Sequence, residues 1–283
     1  MKIIKLSGGL GNQMFQYAFA SRIMNETKES VVLDTSSYKK NVDRDFKLNY
    51  FTINQKIRTM NLTKLKNIKL RLLKKLKCYK YHKYYIEKRE FLYQPEVFKN
   101  RYKVYYGNWQ SLDYLNPIRK SLINDLKPRK KLSKYNTNIS KMMKKSEAVV
   151  IHVRRGDYLS EKNRGIYELC DMKYYDSAID KVKKNVKNPL FFVFSDDIGW
   201  CRKSFDKSEK IVFVDDSLNT DIDDFTLMLQ GKHFIIANST FSWWAAWLNT
   251  VPNKIVISPE KWFIDAKMNQ LVNNIIPIEW KKI

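Results

Sequence analysis

Cysteine is scarce in this 283-residue chain: Cys78, Cys170 and Cys201 are odd in number and far apart. They form neither a C-x-x-C pair nor a disulfide ladder, which points to a reducing compartment, the cytosol. The three histidines, His82, His152 and His233, are as scattered, so no His/Cys cluster has metal-ligand spacing. No stretch approaches the roughly 18–20 uninterrupted apolar residues of a membrane span. The opening Met1–Leu6 is too short for a secretory signal and runs straight into a glycine loop, so the N-terminus is expected to belong to the fold. There is no internal repeat, and no nucleic-acid recognition motif accompanies the formal charge of +24.

Apolar residues are plentiful, 44% of the chain with 14% aromatic, which supports substantial cores and argues against disorder. The length suggests two domains of roughly 120–150 residues each. Acidic residues are short in one half only. Residues 1–145 carry 34 basic and 10 acidic side chains, whereas 146–283 carry 19 of each. Two stretches concentrate the excess: 56–90 has 13 basic and 2 acidic residues, and 127–145 has 8 and none. A basic half joined to a neutral one suggests one part facing an anionic surface and another doing balanced chemistry. Within 56–90, Ile57, Leu62, Leu65, Ile68, Leu72, Leu73 and Leu76 lie roughly on one helical face. That pattern fits a solvated surface helix with a core-facing stripe, or an amphipathic element seated on anionic lipid. Residues 127–145, polar, basic and without periodicity, are the expected linker between an N-terminal domain (1–145) and a C-terminal domain (146–283).

Short β-branched or aromatic runs alternate with helical patterns. Lys2–Leu6, Val31–Asp34, Val104–Tyr106, Val149–Val153, Leu190–Phe194, Ile211–Val214, His233–Ala237 and Lys254–Ile257 read as strands. Met172, Tyr175, Ile179, Val182 and Val186 step at helical spacing behind a possible Asp171 cap. The alternation predicts an α/β fold with mainly parallel sheets.

Four motifs sit at strand ends. Gly8, Gly9, Gly11, Asn12 and Gln13 follow the first strand and open a helix. Glycine permits a tight turn and close ligand approach, and a helix start favours anions. The spacing is not G-x-G-x-x-G, so a nicotinamide fingerprint is unsupported. His152-Val153-Arg154-Arg155-Gly156-Asp157-Tyr158 ends the strongest strand, where ligands sit in open α/β sheets. Paired arginines there offer forked donors to phosphate; in an extended segment one reaches the ligand and the other makes a structural ion pair. Asp157 is that ion-pair partner or a general base, and His152 a core histidine or a ligand contact. Asp196 and Asp197 follow another strand and could hold a metal, accept from a base or ribose, or cap the next helix. Ser239, Thr240, Phe241 and Ser242 precede Trp243, Trp244 and Trp247, and could cap that helix or also cradle a phosphate. The tryptophans read as packing in preference to a sugar platform. Asp221-Ile222-Asp223 matches the D-x-D pattern of metal-dependent transferases, yet acidic residues at a helix start explain it without a metal.

Together these motifs resemble glycosyltransferase family eleven, the α-1,2-fucosyltransferases, from Gly8–Gln13 to Trp243–Leu248, most of the chain. The most specific pieces are His152–Tyr158 and Ser239–Leu248; the 56–90 segment carries no matching motif. The resemblance implies a GT-B-like α/β architecture, two Rossmann-like domains facing a cleft lined by the glycine loop. It implies GDP-fucose held mainly by the C-terminal domain and transferred with inversion, with no metal or other cofactor. On that resemblance Arg154 binds the β-phosphate, His152 and Asp196 or Asp197 contact the guanosine, Ser239, Thr240, Phe241 and Ser242 cradle the diphosphate, and Asp157 is the candidate base; should Asp157 have no role, Glu161 and Glu168, downstream of the motif, are the next carboxylates to test.

The assignment is chemically coherent. Inverting transfer separates a diphosphate from an oxocarbenium-like sugar, so fixed positive charge belongs at the leaving oxygens. The acceptor hydroxyl loses its proton as the new bond forms, which a carboxylate can accept. A basic half near an anionic acceptor would suit a lipid-diphosphate-linked oligosaccharide at the inner face of the plasma membrane, in O-antigen or capsule synthesis. The rivals are a GT-B transferase using another sugar nucleotide, a nucleic-acid-binding protein and a membrane-surface scaffold. The basic segments lie outside the motif-bearing half, against nucleic acid, and the intact arginine motif argues against a scaffold.

Overall fold

The computed structural model describes residues 1–38, 44–62, 83–99, 101–161 and 163–283. The chain forms two compact units, Met1–Lys127 and Pro128–Ile283. Each is built on one parallel sheet, the two Rossmann-like halves of an α/β protein.

In the N-terminal unit β1 (Lys2–Lys5) leads into α1 (Leu10–Thr27), followed by β2 (Val31–Asp34), β3 (Ile57–Met60), β4 (Tyr84–Ile86), β5 (Val104–Tyr106), and short helices α2 (Leu112–Leu115) and α3 (Arg119–Asp125). The strand order is β3-β2-β1-β5-β4 and every pairing is parallel. α1 is buried on nearly every side, which is why its polar Gln13 and Gln16 must find partners inside. The aromatic content is spent here on a ring cluster: Phe19 stacks on Trp109 at 3.9 Å and meets Tyr105 and Tyr114 edge-on at 5.5 and 5.3 Å.

The C-terminal unit runs α4 (Lys134–Lys145), β6 (Glu147–Val153), α5 (Met172–Lys183), β7 (Pro189–Ser195), α6 (Ile198–Ser204), β8 (Ile211–Phe213), α7 (Asp221–Met228), β9 (His233–Ile235), α8 (Thr240–Leu248), β10 (Val256–Ser258), α9 (Ala266–Val272) and β11 (Lys281–Lys282). Its strand order is β11-β10-β9-β6-β7-β8, all parallel. Val149, Ile151 and Val153 point from β6 into a core shared with Tyr175, Ile179 and Val182 of α5. Asp171 caps α5 by accepting the Tyr174 N–H at 3.0 Å, as its sequence predicts.

Two expectations need correction. Residues 127–145 are not a linker: the boundary falls after Lys127, and α4 occupies most of the stretch. The helix buries Asn136, Ile139, Ser140 and Met143, a four-residue stripe of which half is polar. Those polar members are spent on partners, Asn136 on Asn219 at 2.7 Å and Ser140 on Gln230 at 2.5 Å, so an apolar pattern alone misses the buried face. In 56–90, Ile57 opens β3 and Tyr84–Ile86 form β4, so both ends of the basic stretch are edge strands and not one helix. Leu62 is buried; Leu65, Ile68, Leu72, Leu73 and Leu76 lie outside the described residues, as do Cys78 and His82.

Candidate active site

Strand register assembles the site. Ile151 of β6 pairs with Val193 of β7 on one side and Ile235 of β9 on the other. The residues leaving the carboxyl ends of these three strands, 154–158, 196–197 and 236–242, therefore emerge side by side, where open parallel sheets bind ligands.

Arg154 lies between two carboxylates. Its Nη2 is 2.7 Å from Asp157 Oδ1 and its Nη1 2.9 Å from Asp196 Oδ2. Burial opposes its charge, but Asp196 and then Asp157 outweigh burial and hold the guanidinium protonated above its ordinary value. Asp196 also accepts the Arg155 backbone N–H at 2.9 Å, fastening the turn. Gly156 is required for this packing: a Cβ there would fall 2.8 Å from Asp196 Oδ2. Arg155 takes the other direction, its guanidinium 4.0 Å over the Trp200 ring and its Nε 3.5 Å from Asp197. Asp197 accepts the Trp200 N–H at 3.1 Å and caps α6. The two arginines thus take different partners, and Asp157 pairs with Arg154 and not with the expected Arg155.

His152 sits beneath this loop, buried, 5.6 Å from the Phe241 ring. Burial, and next the Arg154 charge, push its imidazole far below the usual range, so it is neutral at pH 7. Its Nδ1 has no hydrogen-bond partner among the described residues. At the start of α8, Ser239 Oγ accepts the Phe241 N–H at 3.3 Å. No acidic residue occupies the helix's own first turn, so its positive end is not opposed from within the helix. Ser242 is fully buried and donates to the Ser239 carbonyl at 3.3 Å, while Thr240 and Phe241 stay half-buried. The tryptophans pack inside the unit, with Trp243 Nε1 donating to the Ile275 carbonyl at 2.8 Å.

The profile of Glycosyl transferase family 11 matches residues 1–283. This chain belongs to glycosyltransferase family 11. An α-1,2-colitosyltransferase of Escherichia coli is 31% identical over 99% of this chain and 98% of its own length. The O-antigen biosynthesis glycosyltransferase WbnK of E. coli is 33% identical over 94% and 96%. Among solved structures, fucosyltransferase NodZ from Bradyrhizobium superposes over 90% of this chain and 96% of its own with a TM-score of 0.54 at 13% identity, a likeness of fold.

In this family-11 glycosyltransferase Tyr158, Asn238 and Gly156, to which the sequence assigns no role, help to build the loops around Arg154. Tyr158 donates to the Asn238 carbonyl at 2.7 Å, stacks on Tyr167 at 4.4 Å and faces the Arg154 guanidinium at 5.8 Å. Asn238 in turn donates to the Glu168 and Trp262 carbonyls at 2.7 and 2.8 Å, tying the loops around α8. Gly156 is the third. A buried amide beside a helix start and a glycine between charged residues were the available signals. Asp223, buried at the start of α7, accepts the Thr220 N–H at 2.9 Å and pairs with Lys130 at 2.5 Å. That is helix-start chemistry; no group of three or more His, Cys, Asp or Glu side chains among the described residues could hold a metal ion.

The glycine loop belongs to the N-terminal unit. Gly8 adopts φ +78°, which favours glycine, and a Cβ there would meet the Asn12 side chain at 2.7 Å. Asn12 accepts from Gln110 at 3.1 Å. Gln13 is wholly buried and holds the Gly8 and Asp45 carbonyls at 3.2 and 2.8 Å and the Lys47 N–H at 2.9 Å. Gly9 precedes α1 and Gly11 is buried within its first turn.

Proposed function

We propose that this enzyme transfers L-fucose, with inversion, from GDP-β-L-fucose to the 2-hydroxyl of a galactose-type acceptor in bacterial surface-glycan synthesis. The observation that carries the reading is Arg154, braced by two carboxylates at the same sheet edge as the start of α8, whose first turn holds no acidic residue. As the C1–O bond to the β-phosphate breaks, its electron pair stays on the phosphate oxygen, and a guanidinium fork with helix amides is positive charge already in place for it. Arginine and amides supply that charge without a metal. His152, neutral with an unspent nitrogen, fits a hydrogen bond to the guanosine. Thr240, Phe241 and the backbone N–H groups of α8 cradle the diphosphate, with Ser239 as cap.

Asp157 is better assigned to positioning Arg154 than to proton abstraction. A base for inversion must stand across C1 from the leaving oxygen. A carboxylate 2.7 Å from the guanidinium that receives that oxygen stands on the leaving side. Asp196 likewise positions Arg154, with both its oxygens engaged.

The relatives support a surface-glycan pathway and a deoxy sugar, and a NodZ structure was co-crystallised with GDP. The colitosyltransferase relative also favours a second reading, transfer of colitose, which is fucose without its 3-hydroxyl. The acceptor would be lipid-diphosphate-linked and met at the inner membrane face, where the basic N-terminal half suits anionic lipid. Thermal-shift and transfer assays with GDP-fucose, GDP-colitose, GDP-mannose and UDP-galactose test the donor. Stabilisation and turnover with GDP-fucose above the others is expected; preference for GDP-colitose selects the second reading, and selectivity for a UDP sugar defeats both.

A further inference from the structure

We infer that Glu87 is the side chain with which the N-terminal unit holds the hydroxyls of the acceptor sugar, an assignment that rests on the transferase reading above. Glu87 follows the last residue of β4, at the carboxyl edge of a parallel sheet. The loop after β5 closes on it. Its Oε2 accepts the Asn108 N–H at 2.6 Å, and both oxygens lie 3.2 Å from the Trp109 N–H, in the loop after β5. Gln16 of α1 ties that loop to the one after β1, accepting the Ser7 N–H at 2.9 Å and donating to the Gly107 carbonyl at 3.0 Å. Gln110 reaches Asn12 in the same way.

The loop is shaped around the carboxylate. A Cβ on Gly107 would meet Glu87 Oε2 at 2.6 Å, and Trp109 takes φ +59°, a conformation non-glycine residues seldom adopt. Trp109 Nε1 is buried without a partner among the described residues, and the ring carbon Cε2 beside it would lie 3.0 Å from that same Cβ. Strain and an unspent donor gathered at one carboxylate are features of a site in preference to a plain loop anchor.

The charge pattern names the ligand class. The carboxylates of the arginine site all face cations. Glu87 has no cation partner among the described residues; its bonds come from neutral amides, and its charged neighbour is Glu90. Burial pushes its carboxyl up to about 7, against the Trp109 and Asn108 amides and with some help from Glu90. Tyr85 and Tyr114, which also sense it, are themselves raised and stay neutral. Such a group repels phosphate and accepts strong hydrogen bonds from neutral hydroxyls, and Asn12, Asn108 and Gln110 add amides of the kind that bind a sugar.

The test uses the full chain with lactose as acceptor. Glu87→Gln should raise the lactose KM by about 10–100-fold, the loss of a charge-assisted hydrogen bond. Acceptor-independent hydrolysis of GDP-fucose, the donor KM and the melting temperature should stay at parental values. An unchanged lactose KM overturns the inference. So does a fall in melting temperature with parallel loss of donor hydrolysis, which marks a loop anchor. Should Glu87→Gln fail to fold, Glu87→Asp, which keeps the charge but withdraws the carboxylate by one methylene, must raise the lactose KM several-fold, and no change there is equally fatal. If the parent neither binds nor hydrolyses GDP-fucose, the donor reading fails by itself. Saturation-transfer NMR of lactose on parent and variant then decides Glu87 separately, loss of transfer supporting it and equal transfer refuting it.

Discussion

At the scale of single residues, the Arg154 triad makes the sharpest claims. Lysine keeps the charge of Arg154 but cannot bridge Asp157 and Asp196 as a fork. Arg154→Lys should therefore lower turnover by about two to three orders of magnitude while the protein still folds; near-parental turnover in a folded variant refutes the role. Asp157→Asn separates positioning from competition. Arg154 keeps Asp196 as partner, so the cost in stability should be about 1 kcal/mol, well short of a stranded buried charge. A negative group has left the diphosphate's surroundings, so GDP should bind several-fold tighter, whereas turnover should drop about tenfold as the guanidinium loses its second brace. Calorimetric GDP affinity beside transfer rate reads both, and weaker GDP binding contradicts the picture. Arg154 was legible as one of a pair at a strand end. That Asp157 serves it and not Arg155 was not, because the choice is made by Asp196, 42 positions downstream of Arg154 and brought close by the β6–β7 register.

At the scale of elements, α7 shows how a local pattern and its tertiary setting combine. The D-x-D sequence becomes a helix start, with Asp223 paired to Lys130 and the following Asp224 bonded to Asn219. Burial raises the Asp224 carboxyl to about 7; the Asn219 bond opposes this, and Asp223 and Asp221 add to it. Its folded value thus lies above the unfolded one. Between about pH 4 and 7 the folded protein keeps a proton that the unfolded chain has lost, so this group's effect on stability worsens as pH rises through that window. Asp224→Asn should melt like the parent near pH 4 and above it at pH 8; a melting difference independent of pH would show that Asp224 is not titrating there. Secondary structure is legible in the sequence where the apolar face is continuous, as in α5 behind Asp171. It is not legible at α4, whose buried face is half polar, nor at β3 and β4, edge strands of four and three residues in a lysine-rich run.

At the scale of the whole molecule, the distribution of charge is the property to test. The described residues offer no metal-holding cluster, and Arg154 with the α8 amides provides fixed positive charge. Transfer should survive exhaustive chelation; abolition by chelator with rescue by manganese would revive the D-x-D motif. The excess of basic over acidic residues in 1–145, 34 against 10, should draw the chain to acidic vesicles. Binding should weaken steeply as salt shortens the screening length to about 3 Å at 1 M. Equal partition onto neutral and acidic vesicles would remove the electrostatic case. Among the described residues no helix is long and apolar enough to cross a membrane.

The amino-acid sequence by itself determined the class of fold, eight of the strands, and the motifs that mark a family-11 transferase, because strand alternation and glycine-turn chemistry are local and survive without neighbours. It also put His152, Arg154 and the Ser239–Ser242 turn at the ends of strands, where open parallel sheets bind ligands; that β6 and β9 lie side by side and bring them to one edge was decided by the sheet. The tertiary structure decided how charges pair within that edge. It turned Ser242 inward, gave Asp197 to a helix cap, set Asp157 on Arg154, and left Glu87 among amides with no cation beside it among the described residues. Those outcomes depend on distances between residues far apart in the chain, and a carboxylate's role follows from which cation, if any, lies within about 3 Å of it.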